Sequence, residues 1–321
     1  SGAWCESEPP VTSRPERGSA PRARTGERAT AAETDWLTLD HPHLSGMSSR
    51  PSVPPLYQLT THARIAEIPA ETWNALADPD TPFLRHEFLA AMEAHGCVGE
   101  ALGWIPTHLA LRDAAGAVLA LAPCYLKLNS YGELVFDWSW ADAYRRHGRA
   151  YYPKLVIASP YTPATGRRIL AGTSAQAPEY ARALVQGAIE VARRMDVSSQ
   201  HWLFTTEEET AQLVSLGLMR RLGCQFHSAL TAAKRKMLKR ERRRVTDSGL
   251  RLRRVRGDAV TEAEWAVFHR LYCDTFDKRG GLPTLTLPFF QAIAETMGEQ
   301  LLLVLAYDGP RIVAAAFNLL G

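Results

Sequence analysis

Cysteine is scarce in this chain: five in 321 residues, at Cys5, Cys97, Cys124, Cys224 and Cys273. They are odd in number, widely scattered and form no CxxC pair, and the histidines show no clustering at metal-ligand spacing. They read as reduced thiols, with no structural metal expected. Long apolar runs are also missing. None approaches the roughly 18 residues that span a bilayer, and the N-terminus lacks the apolar block of a signal peptide, which makes the cytoplasm the expected location. Charge of one sign is lacking too: the net charge is +3, so no overall basic field argues for nucleic acid. Any such case rests on one segment. A nucleophile elbow is absent, for none of His86, His108, His147, His201 or His227 has a serine or cysteine in that setting, and a covalent triad is not expected. The P-loop pattern GxxxxGK[ST] does not occur.

An apolar fraction of 46% is present, enough for sizeable cores over a length that suits two domains. Residues 1–55 are rich in Pro, Ser, Arg, Glu and Thr without hydrophobic period, a composition that buries too little surface to offset its ordering entropy. This segment is expected to be a disordered arm or a non-native extension, with translation starting near Met47. At the other end LLLVLAYDGPRIVAAAFNLLG reads as strand, Asp308–Gly309 turn and second strand, so that the chain is expected to stop inside a domain.

Between these ends the pattern is α/β. Residues 56–68 suggest a strand, 70–77 a helical turn, and 83–95 an amphipathic helix closed by Gly96. THLALRDAAGAVLALAPCYL (107–126) is a hairpin signal around Asp113–Gly116. YYPKLVIASP (151–160) holds a buried-strand core. A helix is predicted over 178–195 with Tyr180, Leu184, Ala188, Val191 and Met195 on one face, then a strand at 201–206 and a helix over 207–223. This order describes a mixed sheet flanked by helices. The C-terminal hairpin echoes the first, which suggests two copies of one unit.

Chemistry concentrates between Pro123 and Leu170. Within LNSYGELVFDWSWADAYRRHGRAYYPK (128–154), Glu133, Asp137 and Asp142 are candidate general bases, left unranked, and Tyr144 is the candidate acid for a leaving group. On an extended strand Trp138 and Trp140 share one face, opposite Asp137 and Ser139. With Tyr151, Tyr152 and Lys154 they would form an aromatic and cationic wall for substrate. An exposed loop with tryptophans packed beneath it is the plainer alternative. The loop YTPATGRR follows a strand and precedes a helix, where Thr162, Pro163, Thr165, Gly166, Arg167 and Arg168 could receive phosphate oxygens. A simple strand-to-helix connection is the competing account. The run AAKRKMLKRERRRV (232–245) is either a solvated interdomain helix or, through Lys234–Arg244, a contact for RNA or another anionic polymer. It contains no aromatic residue.

PCYLKLNSYGELVFDWSWADAYRRHG and YYPKLVIASPYTPATGRRIL resemble a bacterial family of Fem-like N-acyltransferases of peptidoglycan biosynthesis or recognition. KRKMLKRERRRV, FDKRGGLPTLTLPFF and the C-terminal hairpin resemble the same family's second half. The resemblance implies tandem GNAT-type (acyl-CoA N-acyltransferase) domains: 56–227 the first, and 228–321 a basic linker helix with a truncated second. It places a donor-pyrophosphate loop at Thr162–Arg168. Residues that the family usually carries near Phe226–Ala229 are missing. The implied activity is direct transfer of an acyl or aminoacyl group from acyl-CoA, as co-substrate, or from aminoacyl-tRNA to an amine. The alternative is a non-catalytic module that binds a cell-wall precursor or anionic polymer.

Overall fold

The computed structural model describes residues 57–135, 137–221, 237, 240, 241, 243–245 and 247–321, with the backbone of a two-residue strand at Leu37–Thr38. The expectations for the rest of 1–55 and for the missing residues near 226–229 fall outside the described residues. The strands are β1 (Leu37–Thr38), β2 (Gln58–His62), β3 (Trp104–Pro106), β4 (His108–Arg112), β5 (Val118–Ala122), β6 (Cys124–Lys127), β7 (Lys154–Ile157), β8 (Gln200–Trp202), β9 (Arg251–Arg256), β10 (Leu301–Asp308) and β11 (Arg311–Leu319). The helices are α1 (Ala70–Leu76), α2 (His86–Ala94), α3 (Trp138–Arg146), α4 (Ala177–Arg194), α5 (Glu207–Ser215), α6 (Glu262–Asp277) and α7 (Leu287–Met297).

The predicted hairpin at 107–126 forms. Asp113 fixes its turn by accepting the N–H groups of Ala115 and Ala117 at 2.9 and 2.8 Å. One residue, Thr107, separates β3 from β4, and one, Pro123, separates β5 from β6. The Thr107 N–H donates to the Cys124 carbonyl at 2.8 Å. This hairpin therefore joins two sheets, β1-β2-β4-β5 and β3-β6-β7-β8. Among the described residues all strand pairings are antiparallel except β7 with β8, whose parallel register is reached through the crossover helix α4.

Alternation along the strands sends side chains to two cores. Leu59, Leu109, Leu111, Ala120, Ala122, Leu155 and Ile157 pack beneath α4 with Leu184, Val185 and Ala188. Gly187 allows that approach, because a Cβ there would lie 2.7 Å from the Leu59 side chain. The opposite face carries Trp104, Ala110, Leu121, Tyr125 and Val156 against α1 and α2.

After α5 the described chain runs through β9, two helices and the β10–β11 hairpin with its Asp308–Gly309 turn, in the sheet order β11-β10-β9. Thr261 and Glu264 start α6 with a reciprocal capping box. Helix α7 then packs on α2, with Phe289 edge-on to Phe88 at 5.6 Å, and one buried cluster runs through both halves.

Several predicted elements differ: the strand suggested over 56–68 is confined to Gln58–His62 and that at 201–206 to Gln200–Trp202. The helix expected over 207–223 stops at Ser215, because Gly217 adopts a φ of +93°. Residues 138–140, considered as an extended strand or an exposed loop, are instead the start of α3 with Asp137 at its N-cap. The 161–168 loop does not lead into α4 directly, for Leu170 first forms an antiparallel bridge with Leu121 and α4 begins at Ala177.

Candidate functional site

β6 ends on Lys127 and β7 begins on Lys154, and the antiparallel register sets these two lysines directly opposite each other. Both are fully buried. Lysine in that position is tolerated only where its charge is met or removed. Lys154 meets three acceptors: its ammonium donates to Asp137 Oδ2 at 2.6 Å, Glu133 Oε2 at 2.8 Å and Ser130 Oγ at 3.1 Å. Lys127 has less. Its ammonium lies 3.8 Å from the centre of the Trp104 ring and donates to the Tyr131 carbonyl at 3.1 Å.

The connection between the two strands supplies the acceptors. Its first turn is shaped by Gly132, where φ is +77° and a Cβ would fall 2.3 Å from the Tyr161 ring. Glu133 follows and turns inward. Asp137 occupies the N-cap of α3, where an aspartate normally takes a backbone N–H of the first turn. Here it makes no side-chain cap, and its carboxylate faces Lys154 and the Tyr151 hydroxyl, which donates to it at 2.7 Å. Helix capping is given up for the buried ion pair. Ser130 links the group outward to the half-buried Tyr152, their hydroxyls being 2.7 Å apart. Glu133 Oε1 and Asp137 Oδ1 are buried with no hydrogen-bond partner among the described residues.

The electrostatics follow from burial and pairing. Burial, reinforced by the Lys154 charge and opposed by Glu133 and Asp137, lowers Lys127 to about 7. Burial raises Glu133, and Lys154 offsets this only in part. Burial alone would also raise Asp137, but the bonds from Lys154, Ser130 and Tyr151 outweigh it and hold this carboxyl below its usual value. Burial lifts both Tyr151 and Tyr152. On β8, burial and the nearby Lys154 charge push His201 down to about 4.

Of the residues singled out from the sequence, Glu133, Asp137, Tyr151, Tyr152 and Lys154 converge. Asp142 does not: it lies on the exposed side of α3 with Arg145 Nη2 at 2.7 Å. Tyr144 packs edge-on against Tyr151 at 5.1 Å. Trp138 and Trp140 do not share a face. On a helix two residues apart means about 200° of rotation. Trp138 accordingly meets Tyr131, ring to ring at 5.0 Å, while Trp140 lies under the Arg221 guanidinium at 4.7 Å.

The 161–168 loop is also built differently from the expectation. Arg168 is buried, and its guanidinium donates to the carbonyls of Leu203 at 2.9 Å and Ala164 at 2.7 Å. It ties its own loop to the segment after β8, so its reading as a phosphate ligand is corrected to that of an internal brace. Gly166 donates its N–H to the Phe204 carbonyl at 3.0 Å. The N–H groups of Arg168 and Ile169 are taken by the buried carboxylate of Glu209. Thr162 is buried, its hydroxyl donating to the Pro160 carbonyl at 3.0 Å. Pro163, Thr165 and Arg167 face solvent, with Arg167 3.5 Å from Glu208.

Lys127, Ser130 and Glu209 were not singled out from the sequence. Lys127 had a signal, since it shares the inward alternation of Tyr125 on β6; Glu209, one of three successive glutamates, had none. Of Lys234–Arg244, the residues Met237, Arg240, Glu241, Arg243 and Arg244 are described, and they are helical and exposed. The other residues of that run lie outside the described ones. Among the described residues no helix is long and apolar enough to cross a membrane. No curated protein matches the chain. Residues 64–321 match the model of the FemAB-like family, described as peptidoglycan biosynthesis/recognition. The chain belongs to the FemAB-like family.

Proposed function

We propose that this protein transfers an acyl or aminoacyl group from a phosphate-bearing donor, an acyl-CoA or an aminoacyl-tRNA, to an amine of a cell-wall precursor. The observation that carries this reading is the buried cluster centred on Lys154, which holds two carboxylates and reaches the half-buried Tyr152 through Ser130. Strand order supports it. Antiparallel strands up to β7, then a parallel β7–α4–β8 crossover, is the arrangement of the acyl-CoA N-acyltransferase fold, and β9 to β11 read as the opening of a second copy.

An amine arrives as an ammonium and must lose a proton before its nitrogen can attack the donor carbonyl. Tyr152 is the outer end of a hydrogen-bonded line to Glu133 and Asp137 and would take that proton inward. Tyr131, Trp138 and Trp140 offer aromatic surface to the acceptor on either side of α3. On the donor side, Pro163, Thr165 and Arg167 are exposed for phosphate contact, while Thr162, Gly166 and Arg168 shape the loop from within. With an aminoacyl-tRNA donor, the basic run Lys234–Arg244 would contact its backbone.

The test is a transfer assay of the whole chain with labelled acyl-CoA or aminoacyl-tRNA and a muropeptide bearing a free amine. Tyr152→Phe and Lys154→Met should abolish product while Tyr152→Phe keeps muropeptide binding. The near-complete burial of both carboxylates favours a second reading, recognition of a cell-wall precursor without chemistry. Muropeptide binding with no turnover of either donor class would select it.

A further inference from the structure

Lys127 is the member of the buried cluster that the proton path above leaves unused. It stands opposite Lys154 in register, and among the described residues its ammonium has a single hydrogen bond where that of Lys154 has three. Glu133 meanwhile keeps Oε1 buried without a partner among the described residues. The groups that face this pair are the Trp104 ring from β3, the Tyr131 carbonyl, Glu133 and Asp137 from the β6–β7 connection, Lys154 from β7, and beyond it His201 from β8, with the Arg221 cation on the outer side of Tyr151 and His201. Tyr151 and Tyr152, raised by burial, and His201, lowered by it, are neutral around pH 7 and add no charge.

The charge count is then decided by one residue. With Lys127, Lys154, Glu133 and Asp137 all ionised the cluster is neutral, and with Lys127 uncharged it carries one uncompensated negative charge. A buried cluster in the second state draws in a proton, and in the first it does not. We propose that Lys127 is a positioning residue that sets the proton affinity of Glu133, so that the buried cluster stores the first proton released by the acceptor ammonium. The step balances as follows. Lys154, which donates to Ser130 at rest, passes an N–H proton to Glu133 Oε2 and turns its freed lone pair to Ser130; Ser130 then gives its proton to Lys154, Tyr152 gives its own to Ser130, and the substrate ammonium replaces the one on Tyr152. The net change is ammonium plus Glu133 carboxylate to amine plus Glu133 carboxylic acid. On attack the amine nitrogen gives up a second proton, which goes to the departing thiolate or alkoxide of the donor, and the proton stored on Glu133 leaves to solvent by the same line as product departs. The lowering of Lys127 to about 7 is in keeping with a residue that changes charge where such a reaction runs.

For its purpose the inference rests on the transfer reading, but its measurement does not. Carbon-13 NMR of the chain labelled at glutamate side-chain carboxyls follows Glu133, assigned by its loss in Glu133→Gln. Lys127→Met removes the charge at every pH and Lys127→Arg fixes it. The Glu133 midpoint should be higher in Lys127→Met than in Lys127→Arg by about one pH unit or more, as for a carboxylate gaining or losing a neighbouring cation. Equal midpoints in the two variants would overturn the proposal. Should either variant fail to fold, nitrogen-15 NMR of wild-type Lys127 decides: an ammonium that stays protonated through about pH 9 overturns it, and titration near neutrality supports it. A Glu133 shift without turnover of any donor would instead sink the transfer reading and leave the charge coupling standing.

Discussion

The carboxylate of Glu209 closes on the backbone of Arg168, taking its N–H through both oxygens at 2.8 and 2.9 Å and that of Ile169 at 2.7 Å. An acidic side chain thus occupies the position relative to the loop backbone that an anionic ligand would need. Its removal leaves two buried N–H groups without acceptors. Glu209→Ala should cost about 2–3 kcal/mol in denaturant unfolding, the range for losing bonds to a buried charged group. Amide exchange at Arg168 and Ile169 should accelerate in step. The neighbouring Glu208→Ala breaks only an exposed pair with Arg167 and should stay within about 0.5 kcal/mol of wild type.

Lys154 holds two buried carboxylates at once, so its loss strands both. Lys154→Met should destabilise the chain by about 3–5 kcal/mol, the cost of breaking a buried pair from one side. Replacing all three groups together, with Glu133→Gln and Asp137→Asn, removes the stranded charges. Chemical denaturation of the triple variant should show less destabilisation than the sum of the three single changes. Simple additivity would mean that the three do not act as one cluster.

How much of this was legible beforehand depended on whether the determinant was local. The 107–126 hairpin and the α4 face were readable because turn chemistry and helical period are written in consecutive residues. Met195 marks the limit, since the helix ends at Arg194 and this last member of the predicted stripe is exposed. The fate of Asp137 was not local: it depends on Lys154, which the β6–β7 register brings beside it. Trp138 and Trp140 were misplaced for a related reason. Alternation of aromatic and polar residues over four positions suits a strand, yet the helix that follows Asp137 turns the same residues to different sides. Arg168 was read as a phosphate ligand because nothing in YTPATGRR shows that its guanidinium is taken by the carbonyls of Leu203 and Ala164.

Stability should depend on pH through Lys127. A lysine lowered in the folded state keeps fewer protons there than in the unfolded chain, so stability rises with pH between the two values. For Lys127 that window runs from about 7 to its ordinary 10.5. Glu133, raised in the folded state, acts oppositely, and stability falls as pH climbs from its ordinary 4.5 to its folded value. Asp137, lowered, contributes stability that is present above 3.8 and lost as pH drops through its folded value. Urea unfolding of wild type and Lys127→Met across pH 6–10 reads the Lys127 contribution together with the change it makes at Glu133, and both act in the same direction. The wild type should gain on the variant above pH 7, and a constant difference would show that Lys127 does not titrate there.

The two halves of the described chain meet at Phe88 on α2 and Phe289 on α7, whose rings lie edge to face with centroids 5.6 Å apart. Phe289 is fully buried and Phe88 nearly so, so Phe289→Ala should cost about 3–5 kcal/mol through lost burial and the cavity left behind. The edge-to-face pair adds about 0.5–1.5 kcal/mol that neither ring supplies alone, so the double change to alanine should cost less than the two single changes together. A second contact has a different chemistry: the Thr286 hydroxyl at the α7 N-cap donates to the His95 carbonyl at 3.2 Å and also receives the Phe289 N–H at 3.3 Å. Thr286→Val keeps the shape and removes both bonds, which should cost about 1–2 kcal/mol. If the halves share one core, each of these changes lowers a single cooperative unfolding transition. A separate early transition in Phe289→Ala, seen by differing tryptophan fluorescence and circular dichroism midpoints, would show instead that the halves unfold independently.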